Sequence, residues 1–476
     1  MSRLLLAAAL AVAAWIPLTV CAHAAESLEA GVATADITPP LGYRMSGYFS
    51  ERLATGVLNP LKAKALVLNQ GDVRVAVVCC DLIGLARDVS ARARQAASKT
   101  TGIPAEHILL AATHTHTGPL YAGALRKHFH DLAVAEHGND ACEAADYPAL
   151  LVARIAGVIK EAADAAGPVR LAAGTAEQQG LSFNRRFHMK DGTVRFNPGM
   201  KNPDIVRQAG PIDPGVGIVT VRTPADKHPR AAIVNFALHL DTVGGTQYAA
   251  DFPYFLEGRL REAWGDGVTL LFGTGACGDI NHLDFPNGNR LKTEVIGRTL
   301  GETVAGADLK PLASPTLSVA QKVVRVPLQA FTKDEVAWAK ETMHEVASRE
   351  VPFLERVRAY KILACEMRRA GEAADGTLPI EVQVVRVSRD VAVVGLPGEV
   401  FVDLGLAIKQ ASPFATTLVI ELCQDAPGYI PTTKAFKEGS YETVNSRVAP
   451  GGGEQMVEAA VALLQQLAGG ARTSAR

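Results

Sequence analysis

The chain has 476 residues, 48% hydrophobic and 20% charged, with a formal net charge of −1. That balance excludes a disordered chain and one built of membrane spans throughout. It also gives no electrostatic footing for nucleic acid or an anionic lipid surface. At the N-terminus Arg3 precedes an almost wholly apolar stretch over 4–20, and Ala22-His23-Ala24 supplies a small-x-small cleavage pattern. Residues 1–24 therefore read as a signal peptide, which sends the mature chain to the periplasm or outside the cell. An uncleaved anchor is the competing reading, although comfortable spanning takes about 20 apolar residues. No later stretch is long and apolar enough to cross a membrane.

Beyond the leader, β-like runs alternate with helical ones, the pattern of an α/β fold with a layered mixed β-sheet and flanking helices. Strands are predicted over 64–68, 74–80, 108–112, 217–221, 231–238, 268–272, 381–387 and 391–396. Helices are predicted over 148–163, 254–263, 291–304, 333–348, 355–367 and 454–467. No internal repeat or long linker divides 25–468, so it reads as a single domain, and 469–476 reads as a flexible tail. The six cysteines outside the leader contain no CxxC pair, which argues against a thiolate metal site. Cys79 and Cys80 lie inside a buried-strand pattern and read as small core residues.

Four predicted strands end on residues with ligand or acid–base chemistry. The run 108–112 leads to Thr113-His114-Thr115-His116-Thr117-Gly118-Pro119, and 231–238 leads to His239. The run 268–272 leads through a glycine-rich segment to Gly278-Asp279-Ile280-Asn281-His282, and 391–396 leads to Pro397-Gly398-Glu399. Carboxyl ends of strands are where open α/β sheets bind ligands, so an active site is expected there. In an extended chain His114 and His116 face the same way, and neutral imidazole suits zinc. The plainer reading is two structural histidines bonding loop carbonyls. His239 alone reads more readily as a core residue, and Tyr429 as a packing aromatic. Glu399 is expected to open a helix over 400–409, whose dipole would favour the carboxylate. Gly273, Gly275 and Gly278 let backbone approach a ligand closely, but no Walker, dinucleotide or G-x-S-x-G motif is present.

In this order the segments resemble the neutral (non-lysosomal) ceramidase family, whose members cleave the amide of ceramides with one zinc ion. The resemblance rests on Thr113–Pro119, His239, Pro397-Gly398-Glu399-Val400, Tyr429-Ile430-Pro431-Thr432 and Tyr441-Glu442. It implies one Zn2+ per chain on His114, His239, Glu399 and Tyr429, with His116 and Arg185 addressing the substrate. Two departures stand out. Where the family has GD-x-S-P-N, with a serine implicated in catalysis, this chain has Asn281 and no adjoining serine. The chain also leaves no room for the family's C-terminal β-sandwich.

The resulting expectation is a zinc-dependent hydrolase acting on a small-molecule or lipid substrate, most simply a linear amide such as a ceramide or other N-acyl compound. Zinc would activate a water molecule and polarise the carbonyl. His116, Asp81 or Asp279 would manage protons, Tyr441 with Arg185 would steady the oxyanion, and Asn281 would bind substrate by hydrogen bonding. The alternatives are a carbohydrate-active hydrolase (a deacetylase, or a glycosidase using Asp81 and Asp279) and a zinc-stabilised binding protein without catalysis. Oligomeric state is not legible.

Overall fold

Strands apolar on both faces need cover on both sides, and that requirement organises the molecule. Ile108–Ala112, Ala231–Phe236 and Val391–Gly395 are buried at every position. The computed structural model describes residues 27–313, 315–345 and 350–469. The expected leader and the tail beyond 469 lie outside these residues.

Three mixed sheets carry the core. The first runs Ile108–Ala112, Val73–Cys80, Lys62–Gln70, Glu29–Asp36 and Gly167–Pro168. The second runs Thr269–Thr274, Ala231–Phe236, Gly215–Arg222, Arg170–Glu177 and Lys310–Pro311. The third runs Pro315–Pro327, Thr377–Ser388, Val391–Gly395 and Thr416–Ile420. One face of each sheet contributes to a shared inner core, in which Val77 and Leu109 meet Val219 and Ile233 of the second sheet and Val393 and Ile420 of the third. Helices cover the outer faces. Arg87–Thr101 and Tyr147–Asp164 pack on the first sheet, and Phe252–Trp264 and Thr293–Ala305 on the second. Val402–Ala411 and Gly452–Gly469 pack on the third. The expected α/β layering is the observed one.

Each of these sheets contains a single parallel pair: Val73–Cys80 with Ile108–Ala112, Ala231–Phe236 with Thr269–Thr274, and Val391–Gly395 with Thr416–Ile420. The strands of a parallel pair end on the same side. The segments after these strands carry His114, His239, Cys277, Glu399 and Glu421. The fold thus delivers residues distant in sequence to one place.

Helix Arg87–Thr101 was not legible as an amphipathic pattern, because its buried face is Val89, Ser90, Ala93, Arg94 and Ala97, mostly small or polar. The helix expected over 333–348 is observed over Lys333–Glu345, and the rest falls outside the described residues. The six cysteines are all unpaired, with Cys79 and Cys80 buried as expected. No helix among the described residues is long and apolar enough to cross a membrane.

Candidate metal centre

At the end of Ile108–Ala112 the chain turns rather than running on. Thr113 N–H bonds the Cys80 carbonyl at 2.8 Å and His114 N–H bonds that of Leu82 at 2.8 Å. His114 then takes a φ of 77°, uncommon for any residue with a Cβ. The extended geometry expected for the His-Thr-His segment is therefore replaced by a turn. Its two imidazoles still converge, because His116 N–H bonds the Leu240 carbonyl (3.0 Å) beside His239.

Backbone carbonyls fix the imidazole tautomers. His114 Nδ1 lies 2.7 Å from the Ile83 carbonyl, and His239 Nδ1 lies 3.2 Å from that of Cys277. A carbonyl only accepts, so both Nδ1 atoms carry the proton and both Nε2 atoms present a lone pair. Those Nε2 atoms are 2.9 Å apart, and His116 Nε2 is 3.4 Å from that of His114. Buried lone pairs this close are stable only with a cation or an extra proton between them.

Glu399 completes the cluster. Its Oε2 lies 3.5 Å from His114 Nε2 and 3.8 Å from His239 Nε2, buried and without a hydrogen bond. Burial alone would raise this carboxyl, but positive charge on His114 and then His239, whose facing nitrogens share an extra proton when no cation lies between them, outweighs it with the neighbouring Tyr429 hydroxyl and holds it ionised, down to about 2. Glu399 does not sit in a helix turn. The short strand Glu399–Val400 pairs in parallel with Tyr429–Ile430, which sets Glu399 directly opposite Tyr429, and the helix begins only at Val402. Register with Tyr429, not a helix dipole, positions this carboxylate. Gly278 packs on the same segment, where a Cβ would come within 2.5 Å of the Glu399 carbonyl oxygen. That glycine admits the protein's own backbone.

Tyr429 is buried, and its hydroxyl accepts a hydrogen bond from Arg185 Nη2 at 3.1 Å. Arg185 Nε bonds Glu442 Oε1 at 2.8 Å, and Nη2 also bonds the Gly278 carbonyl at 2.8 Å. Burial, and then Glu399, push the Tyr429 phenol well above its ordinary range. Tyr441 stacks on Phe196 with ring centroids 4.5 Å apart and meets Tyr429 edge-on at 5.4 Å. A cavity of about 590 Å³ opens beside the cluster. His114, His116, Glu399, Tyr429 and Tyr441 line it, with Leu85, Leu120, Leu125 and Met367 among its apolar walls.

The other expected residues lie apart from the cavity wall. Asp81 accepts the Lys62 N–H at 2.9 Å and the Thr113 hydroxyl at 3.3 Å. Asp279 accepts the Val402 N–H at 2.9 Å and the Asn184 amide at 2.8 Å, tying helix to loop. Asn281 bonds Asn197 at 3.0 Å and the Leu283 N–H at 3.0 Å. These groups are held by hydrogen bonds within the protein and make structural links. Arg185 likewise reaches Tyr429 and Glu442 without lining the cavity.

Sequence reasoning missed Glu421. Its Oε2 accepts N–H groups from Val400 (2.6 Å) and Cys277 (3.2 Å), and the Cys277 thiol donates to Oε1 at 3.1 Å. One carboxyl thus holds the segment bearing Glu399 and the residue whose carbonyl orients His239. The signal was available, since Glu421 directly follows the β-like run Thr416–Ile420, rich in β-branched residues. Also missed was the part-buried pair in which His282 Nδ1 donates to Asp241 at 3.1 Å.

The donor set fits a zinc ion. Two imidazole nitrogens with fixed tautomers, an ionised carboxylate lacking a partner and a phenol oxygen form a hard-to-borderline N/O site. The geometric cluster of three histidines includes His116, which the resemblance assigns to the substrate.

The comparisons with known proteins agree with this architecture at the level of fold. No family model matches the chain, and no curated protein matches it by sequence. Among solved structures, neutral ceramidase from Pseudomonas aeruginosa superposes with a TM-score of 0.68 at 19% identity, covering 93% of this chain and 75% of that one. A ceramidase complexed with C2 gives 0.68 at 17% identity, covering 93% and 76%. This chain therefore has the neutral ceramidase fold.

Proposed function

We propose that the protein is an exported zinc-dependent hydrolase of a linear amide, a ceramide or another N-acyl compound. The observation that carries this reading is the pair of facing Nε2 atoms on His114 and His239, 2.9 Å apart, with the orphaned Glu399 Oε2 beside them. His114, His239, Glu399 and Tyr429 would hold the ion, and the fold shared with ceramidases supports this assignment. When bound, zinc supplies Lewis acidity and a nucleophile at neutral pH.

The chain's own residues do the rest. His116 lies in the cavity wall, where burial, and then His114, lower it to about 4, so it is neutral at physiological pH and presents an unprotonated nitrogen to the substrate. Burial pushes the Tyr441 phenol up to about 12, so it keeps its proton and can donate to a developing oxyanion. Arg185, braced by Glu442, fixes the Tyr429 hydroxyl. The leucine-rich cavity wall accepts an acyl chain and excludes water. Because Asp81 and Asp279 are bonded to main chain away from the cavity, the glycosidase reading lacks its pair of acids.

The test is metal content with chelator-sensitive turnover on ceramide, short N-acyl amides, acyl esters and N-acetylated sugars. The expected result is about one zinc per chain, with amide hydrolysis abolished by chelator. Stoichiometric zinc without turnover of any substrate would favour a binding protein, and absence of zinc would remove the basis of the proposal.

A further inference from the structure

Six arginines are buried among the described residues. Arg44, Arg94, Arg185 and Arg186 each meet a carboxylate. Arg386 meets only the Ser388 and Leu467 carbonyls and lies away from the cavity. Arg447 is the exception inside it. It lines the cavity at 7% exposure and has no carboxylate within 4.0 Å among the described residues. Its Nη1 bonds the Pro427 carbonyl at 2.8 Å and its Nη2 the Tyr360 hydroxyl at 2.9 Å, both neutral acceptors. A guanidinium stays charged at every physiological pH, and a buried charge without a counter-ion is unfavourable. Arg368, also in the wall, is by contrast neutralised by Asp425 and Glu372.

Two further features tie Arg447 to the reaction centre. A Cβ on Gly428 would fall 1.8 Å from Arg447 Nη1, so the guanidinium packs against the residue immediately before Tyr429. Two residues back along the chain, Asn445 lines the same cavity at 6% exposure. Its Nδ2 donates to the Tyr441 hydroxyl at 3.4 Å, while its Oδ1 is buried with no partner. The segment therefore contributes an unneutralised cation with unused N–H donors and a bare acceptor to the cavity wall.

Resting on the hydrolase reading above, we infer that the substrate amide carries a carboxylate close to the scissile bond: an N-acyl amino acid. Arg447 receives the carboxylate, and Asn445 Oδ1 accepts the amide N–H. Such a ligand supplies the missing negative charge through a charge-assisted contact that a neutral amide cannot make. The acyl chain then runs along Leu85, Leu120 and Leu125.

The test compares N-lauroylglycine with N-lauroylethanolamine, which differ by a carboxylate in place of a hydroxymethyl group. Both kcat/KM and calorimetric Kd are measured on the zinc-loaded full chain. The acylglycine is expected to be favoured by about 10–100-fold, the range of one charge-assisted hydrogen-bonding contact. Arg447→Met should bring the ratio near one and Arg447→Lys should keep part of it. Asn445→Asp, which sets a negative charge in the same cavity wall, should lower the ratio even where Arg447→Met fails to fold. A wild-type ratio near one, or a ratio that survives these substitutions, overturns the inference. If neither amide is hydrolysed the hydrolase proposal fails, while the Kd ratio still decides whether the cavity reads a carboxylate.

Discussion

Two clusters among the described residues have the composition of a metal site, and they differ in what their lone pairs face. In the first, His114, His116 and His239 turn nitrogens toward one another beside an unpartnered Glu399 oxygen. In the second, His130, Asp140 and Glu143 lie equally close, but guanidinium groups meet the acids. Arg44 reaches Asp140 at 2.5 Å and Glu51 at 2.6 Å, and Arg126 forks onto Glu143. His130 Nδ1 bonds Asp140 at 2.8 Å. The second cluster is neutralised by the protein, whereas in the first the facing nitrogens and the Glu399 oxygen meet no guanidinium. Ligand-type residues in proximity do not mark a metal site; unsatisfied acceptors do.

Substitutions can break that comparison at several strengths. The largest effect is expected for His239→Ala or Glu399→Ala, with loss of bound zinc and a fall in kcat/KM of at least about 10³-fold, since several kcal/mol of transition-state stabilisation go with the metal. Plasma-emission metal analysis and single-substrate kinetics measure both. His116→Ala should retain zinc yet lose about 10²–10⁴-fold in kcat, the usual worth of a positioned base. If that variant also arrives without zinc, His116 is a ligand.

Glu421→Gln sharpens the picture from outside the ligand set. Weakening its links to Val400 and Cys277 should loosen zinc by about 10–100-fold in a competition titration with a chromogenic chelator. The smallest functional effect is expected in the other cluster. Asp140→Ala should leave zinc content and kcat/KM unchanged while costing about 2 kcal/mol in a denaturant melt, because Arg44 loses a buried partner. A change in zinc content there would mean that the second cluster also binds metal.

What was legible in the sequence follows the same physics. Strands buried on both faces were readable from their apolar runs, as at 391–396 against the observed Val391–Gly395. The small-residue helix Arg87–Thr101 carried too little apolar contrast to be read. Asp81 and Asp279 were expected in the site because they too follow strands, but position after a strand cannot reveal that a carboxylate is already bonded to Lys62 or Val402. Glu399 was expected to open a helix, whereas it lies on a short strand. Its pairing with Tyr429 joins positions thirty residues apart, and no local pattern encodes that register. Arg447 and Asn445 carried no motif; what singles them out is that Arg447 bonds only neutral acceptors and that Asn445 Oδ1 has no partner.

The most direct test of the central claim is the zinc content of the purified full chain beside that of its His114→Ala/His239→Ala double variant. The account expects close to one zinc per chain in the first and none in the second, with both proteins folded by circular dichroism. Wild-type protein that is folded and hydrolytically active without any bound metal, or a double variant that keeps its zinc, would contradict it.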